Sequence, residues 1–137
     1  MIYLDSSALL KLLIQEQESA ALEGWVTAQA GAPMMTSSLA KVEVLRACRR
    51  LNDEALPAAT ALLAELDLIP LTTDLLDQAA EVGGPLLRSL DALHLASALS
   101  IGSELAAFVC YDHRLLEAAS AAGLAAVNPG GCVPVSS

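Results

Sequence analysis

Four acidic residues stand where carboxylates can do chemistry: Asp5, Glu43, Asp91 and Asp112. Asp5 and Asp112 each follow a short apolar run and precede text with helical spacing, so each falls at a strand-to-helix junction. In an open parallel sheet, ligands bind beyond the carboxyl ends of the strands. If the two strands are neighbours, both side chains enter one crevice. The plain alternative for either residue is a helix N-cap, where Asp is favoured; the two roles are compatible. Asp91 lies in the first turn of its own helix, where a carboxylate complements the helix dipole. Glu43 lies inside a helix whose apolar stripe reads as Leu39, Val42 and Leu45, so capping cannot account for it. Arg46 and Arg50 follow Glu43 at i+3 and i+7 on the same face. Taken alone they read as a solvated, ion-paired face; beside a ligand acid they become cations able to grip a phosphate backbone.

Convergence of the four would have a physical consequence. Two carboxylates ~5 Å apart repel by about 3 kcal/mol at an effective dielectric near 20. Four cannot all stay ionised without compensation. Divalent cations supply it, and an all-oxygen donor set selects Mg²⁺, with Mn²⁺ as a substitute, over zinc. A two-metal site suits phosphodiester hydrolysis.

The elements that must position these residues alternate along the chain. Strand text is found at 2–4, 34–36, 68–71, 105–111 and 124–127, with Pro70 placing the third run at an edge or strand end. Helical text occupies 8–19, 39–51, 54–65, 75–84, 91–102 and 113–123. Ser37 or Ser38, Thr73 or Asp74, and Ser89 are the expected caps, and Gly123 ends the last helix. Alternation of this kind specifies an α/β fold: a mainly parallel sheet of about five strands with helices on both faces. A single domain over 1–129 and an irregular tail over 130–137 are expected.

At 137 residues the chain is one domain in size, and a hydrophobic fraction of 55% against 17% charged argues against disorder. The formal net charge of −9 opposes nucleic acid binding, unless bound cations invert the local sign. Cys48, Cys110 and Cys132 form neither a disulfide framework nor a CxxC zinc site, and read as reduced thiols, two of them in the core. No leader or membrane span is evident, so a cytoplasmic protein is expected.

The segments MIYLDSSALLKLL, TSSLAKVEVLRACRR, LRSLDALHLASAL and FVCYDHRLLEAASAAGL, in this order and spacing, resemble the PIN-domain ribonucleases, most closely the VapC-type toxins of bacterial toxin–antitoxin pairs. The resemblance implies a three-layer PIN-like domain and makes Asp5, Glu43, Asp91 and Asp112 the catalytic, metal-binding acids, with Ser6 as an accompanying hydroxyl. It further implies metal-dependent endonucleolytic cleavage of RNA leaving a 3′-hydroxyl and a 5′-phosphate, a small VapB-like antitoxin as inhibitor, and a homodimer. One departure is Cys110, which stands where the family often has Thr or Ser; a thiol is the poorer hydrogen-bond partner.

Lys11, Arg46, Arg49, Arg50 and Arg114 are the candidates for RNA contact. Trp25, Tyr3, Phe108 and Tyr111 read as packed, since aromatics at 3% leave little for base stacking. His94 and His113 read as polar helix-face residues, although His113 beside Asp112 is a possible accessory group along with Ser6, Arg46 and Arg50. Asp74, Asp77 and Glu81 read as a solvated face. Two other readings compete with this one. A phosphatase- or dehalogenase-like enzyme would need a second Asp two residues after Asp5, where Ser7 stands. A catalytically inactive PIN-like interaction module would not need its acids intact.

Overall fold

In the computed structural model, residues 1–131 are described, and within them the strand–helix alternation is realised as a wholly parallel sheet. The strands are β1 (Ile2–Leu4), β2 (Met34–Ser37), β3 (Asp67–Ile69), β4 (Ala107–Val109) and β5 (Ala126–Val127), in the order β3-β2-β1-β4-β5. The chain moves outward from β1 through β2 to β3, then crosses back to place β4 on the other side of β1. The order therefore reverses between β1 and β4, and a crevice opens there at the carboxyl ends of the strands. Leu4 pairs with Val109 at the last register position before it.

Strand periodicity sorts the core into two layers. Ile2, Leu4 and Val109 point to one face, against α1 (Ser6–Leu13), α2 (Ser19–Ala28), α3 (Ser38–Leu51) and α4 (Leu56–Glu65). Tyr3, Phe108 and Cys110 point to the other, against α6 (Ser89–Leu99) and α7 (His113–Ala121). A small satellite cluster joins α6 to α5 (Thr73–Ala79). β3 is an edge strand that stops before Pro70, as a residue without an N–H requires.

Several sequence expectations need correction. The helix expected over 8–19 ends at Leu13, and a second helix that was not expected, α2, spans Ser19–Ala28. Its N-cap residue Glu18 makes no side-chain capping bond and Gly24 lies in its interior, so neither start signal nor propensity advertised it. On α3 the core-facing residues are Ala40, Val44, Ala47 and Cys48, whereas Val42 is 56% exposed. Of the expected Leu39–Val42–Leu45 stripe, Leu45 packs at the margin of the core, Leu39 is partly buried and Val42 faces outward. Thr72 caps α5, accepting from the Leu75 N–H, where Thr73 or Asp74 was expected. The N-cap position of α6 belongs to Arg88 instead of Ser89. Ser37 caps α3 as expected, and Gly123 adopts φ +93 just past the end of α7, a conformation that favours glycine. The free thiols Cys48 and Cys110 are buried; Cys132 and most of the expected tail lie outside the described residues.

Candidate metal and nuclease site

The crevice at the β1–β4 reversal is lined from four elements. Asp5 leaves the end of β1, where its N–H donates to the Val109 carbonyl at 3.1 Å. Its Oδ1 accepts from the Ala8 N–H at 2.9 Å and the Ser7 hydroxyl at 2.7 Å, so it caps α1. The side chain is nevertheless only 4% exposed. Burial pushes its pKa from 3.8 up to about 6, against the pull of His94, Ser7 and Ala8, and Asp91 adds to the rise. A cap at a surface helix end has no need of such burial.

Asp112 lies three residues past the end of β4 and caps α7, its Oδ1 accepting from the Leu115 N–H at 3.1 Å. Asp91, in the first turn of α6, is half-buried. Arg88 spans the two: its Nε donates to Asp91 Oδ2 and its guanidinium NH₂ to Asp112 Oδ2, each at 3.1 Å. Asp5, Asp112 and Asp91 all act on one buried group, the Cys110 thiol, whose pKa is raised first by burial and then by these three charges. Cys110 packs among apolar side chains, and the orientation of Asp112 comes from capping and from Arg88.

Glu43 approaches from α3. It follows Ala40 by three residues and precedes Ala47 by four, so it rides the margin of the buried face. Its Oε1 accepts from the Ser6 hydroxyl at 2.6 Å and from His94 Nε2 at 2.8 Å. Burial pushes the carboxyl up, but the His94 and Ser6 bonds outweigh it and hold the pKa below the usual range. His94 is itself 2% exposed, and its Nδ1 lies 2.6 Å from the buried Tyr3 hydroxyl. Burial holds that phenol protonated; it shares a hydrogen bond with Nδ1, and Nε2 is the ring nitrogen that faces Glu43.

The expectation of a polar helix-face residue therefore fails for His94, which is a buried link in a Tyr3–His94–Glu43–Ser6 chain. It holds for His113, which is exposed. Its i+3 spacing from Asp91 placed His94 near the acids, but its partners lie 51 and 91 residues away in sequence. Arg88 was not among the basic residues singled out; an arginine three positions before Asp91 was the available signal.

The other candidates divide. Arg46 and Arg50 are exposed on α3, and Arg114 lines a cleft with Arg88, Tyr111, Asp112 and His113. Lys11 is engaged elsewhere, bound to Glu16 and Glu18 and lying 4.8 Å from the Tyr111 ring centre. Tyr3 and Phe108 are fully buried and stacked at 5.2 Å. Asp74, Asp77 and Glu81 are exposed.

The donor set suits a hard divalent cation, being made of carboxylate oxygens without Cys or paired His. Among the described residues, no three Asp, Glu, His or Cys side chains stand close enough to hold one ion as they are placed. As placed, Arg88 holds one oxygen each of Asp91 and Asp112, and Glu43 Oε1 is held by Ser6 and His94.

Comparison with known proteins agrees with this fold. Residues 2–121 match the PIN domain family. The chain is 47% identical over 132 residues to ribonuclease VapC35 of Mycobacterium tuberculosis, covering 95% of this chain and 98% of that protein. Among solved structures, the M. tuberculosis toxin VapC20, described as cleaving the sarcin–ricin loop, superposes with a TM-score of 0.74 at 23% identity, covering 94% of this chain and all of the other. A toxin–antitoxin complex from Klebsiella pneumoniae gives 0.65 at 18% identity over the full length of both chains. These two likenesses speak to the fold, and the fold they share is the α/β arrangement described above. With a family match over most of its length and a relative at nearly half identity, the chain belongs to the PIN-domain family, among its VapC ribonucleases.

Proposed function

We propose that the protein is a metal-dependent endoribonuclease and a VapC-type toxin, with Asp5, Glu43, Asp91 and Asp112 as the ligands of Mg²⁺ in the β1–β4 crevice. The observation that carries this reading is the burial of the Asp5 charge beside Asp91 at the point where strand order reverses. A carboxylate placed there without a cation is costly, and a cation makes the placement favourable.

A bound divalent ion supplies hydroxide from water near neutral pH and neutralises charge on the leaving oxygen; a pair of ions divides the two tasks. The chain's own residues do the rest. Ser7 and the Ala8 N–H fix one oxygen of Asp5. Ser6 and His94 fix one oxygen of Glu43, and these outer partners set the direction in which the free oxygen points. Arg46 and Arg50 offer exposed cations on the helix that carries Glu43, and Arg114 and His113 offer polar groups beside Asp112. RNA binding then depends on this local rim, because the overall field repels the substrate.

The partner assigned to the toxin is a VapB-like antitoxin covering the crevice. Val42 and Leu90 support this reading: they are 56% and 49% exposed and adjoin Glu43 and Asp91, as apolar anchors at a covered rim should. A homodimer acting in the cytoplasm completes the proposal. Among the described residues no helix is long and apolar enough to cross a membrane.

The test is incubation of the purified protein with structured RNAs in Mg²⁺, with and without chelator, beside Glu43→Gln. Cleavage that is abolished by chelator and reduced at least about a hundredfold in the variant supports the assignment. A variant that cuts as well as the parent removes Glu43 from the ligand set. Absence of any metal-dependent cleavage would favour the inactive interaction module.

A further inference from the structure

We infer that Arg88 is an internal counter-ion of the acidic crevice, which gives up Asp91 and Asp112 to the divalent cation and turns to a phosphate of the bound RNA. The inference rests on the metal-dependent nuclease reading above.

Three observations carry it. First, among the described residues Arg88 is the one side chain hydrogen-bonded to two of the four acids, reaching Asp91 on its own helix and Asp112 across the crevice, 24 residues away. Second, its placement contradicts local preference. It holds the N-cap position of α6 without making a capping bond, where Ser, Thr, Asp or Asn would serve better and where the helix dipole disfavours a cation. Residues that break a local rule in this way are found where function requires it. Third, its side chain is 66% exposed despite the two ion pairs, so it can leave both carboxylates without disturbing the core.

Arg88 also lines both clefts that flank the acids, one with Glu43, Ser89, Leu90 and Asp91, the other with Tyr111, Asp112, His113 and Arg114. A guanidinium between two clefts, released from its carboxylates, is within reach of a phosphate lying across either. Its planar donor fork matches phosphate oxygens as well as carboxylate ones. The exchange is balanced in charge: the cation takes the carboxylates and the arginine takes the phosphate. In the resting protein the same residue relieves repulsion between Asp91 and Asp112.

The two halves of the role predict opposite signs for one substitution. Arg88→Gln keeps length and hydrogen-bonding capacity and removes the charge. Mn²⁺ binding, measured by calorimetry without RNA, should tighten about tenfold because a competing cation has gone. Binding of a fluorescein-labelled single-stranded oligoribonucleotide, measured in non-catalytic Ca²⁺, should weaken, and its log K against log salt slope should become shallower by about 1. Arg88→Lys should retain near-parental Mn²⁺ affinity and part of the RNA affinity. Mn²⁺ binding to Arg88→Gln no tighter than to the parent, or an unchanged salt slope, overturns the inference while leaving the nuclease reading in place. A parent protein that binds no Mn²⁺ overturns both.

Discussion

Replacing Asp5 by Asn should stabilise the protein in the absence of metal and destabilise it, relative to the parent, in its presence. Asn keeps an oxygen able to accept from the Ala8 N–H and the Ser7 hydroxyl, and it is as good an N-cap as Asp. The change therefore isolates the buried charge. In the folded protein the Asp5 pKa stands at about 6 against 3.8 for an exposed carboxyl. Between those two values the native state holds a proton that the unfolded chain has lost, so stability falls as pH rises through the window. Above it, the cost is constant at about 3 kcal/mol, from roughly 1.4 kcal/mol per pKa unit. Unfolding entropy of about 2 cal/mol/K per residue makes each kcal/mol worth roughly 3–4 °C in a chain of this length. In chelator at pH 8, Asp5→Asn should melt up to about 10 °C above the parent, with the gap roughly halved at pH 5 and nearly closed at pH 4. Millimolar Mg²⁺ should reverse the order, because ligand binding stabilises only the protein that retains the site. Differential scanning calorimetry at the three pH values, with and without Mg²⁺, reads both effects. Equal melting temperatures in chelator at pH 8 would mean that the Asp5 charge costs nothing where it sits, and the argument for a cation would lose its energetic ground.

Other perturbations follow from the same geometry. His94→Leu strips a partner from both Tyr3 and Glu43; one buried and one half-buried hydrogen bond lost should lower stability by about 2–4 kcal/mol and weaken Mn²⁺ affinity about tenfold, and thermal melts with calorimetric titration check the pair. An Arg46→Gln, Arg50→Gln double variant should leave the melting temperature within a degree or two and raise KM for RNA; a salt slope that does not fall would place these cations outside the substrate path. Leu9→Ala, fully buried where α1 meets the sheet, should cost about 2–5 kcal/mol in urea unfolding while the metal affinity of the folded fraction is retained.

The placement of Asp5 and Asp112 was legible because a strand end and a helix start are both local signals, and a parallel sheet fixes what lies beyond its carboxyl edge. Their neighbourhood was conditional on strand order, which no local pattern determines; the β1–β4 pairing supplied it. Glu43 illustrates the opposite case. Its helix was evident, but the buried face was misjudged because Ala40 and Ala47 carry the contact in place of the bulkier Val42. Size normally signals the core, and here two of the four buried positions of α3 are alanines. His94 and Arg88 escaped for a related reason. Each draws its meaning from a partner distant in the chain; His94 read locally as a polar helix-face residue, and Arg88 carried no reading.

The most direct test of a shared metal pocket is paramagnetic. Substoichiometric Mn²⁺ added to ¹⁵N-labelled protein should broaden the amides of Ser6, Glu43, Asp91 and Asp112 together, before those near the exposed acids Asp74, Asp77 and Glu81. Broadening that begins along α5, or that reaches the four segments at widely different Mn²⁺ levels, would contradict the claim that these carboxylates bind as one site.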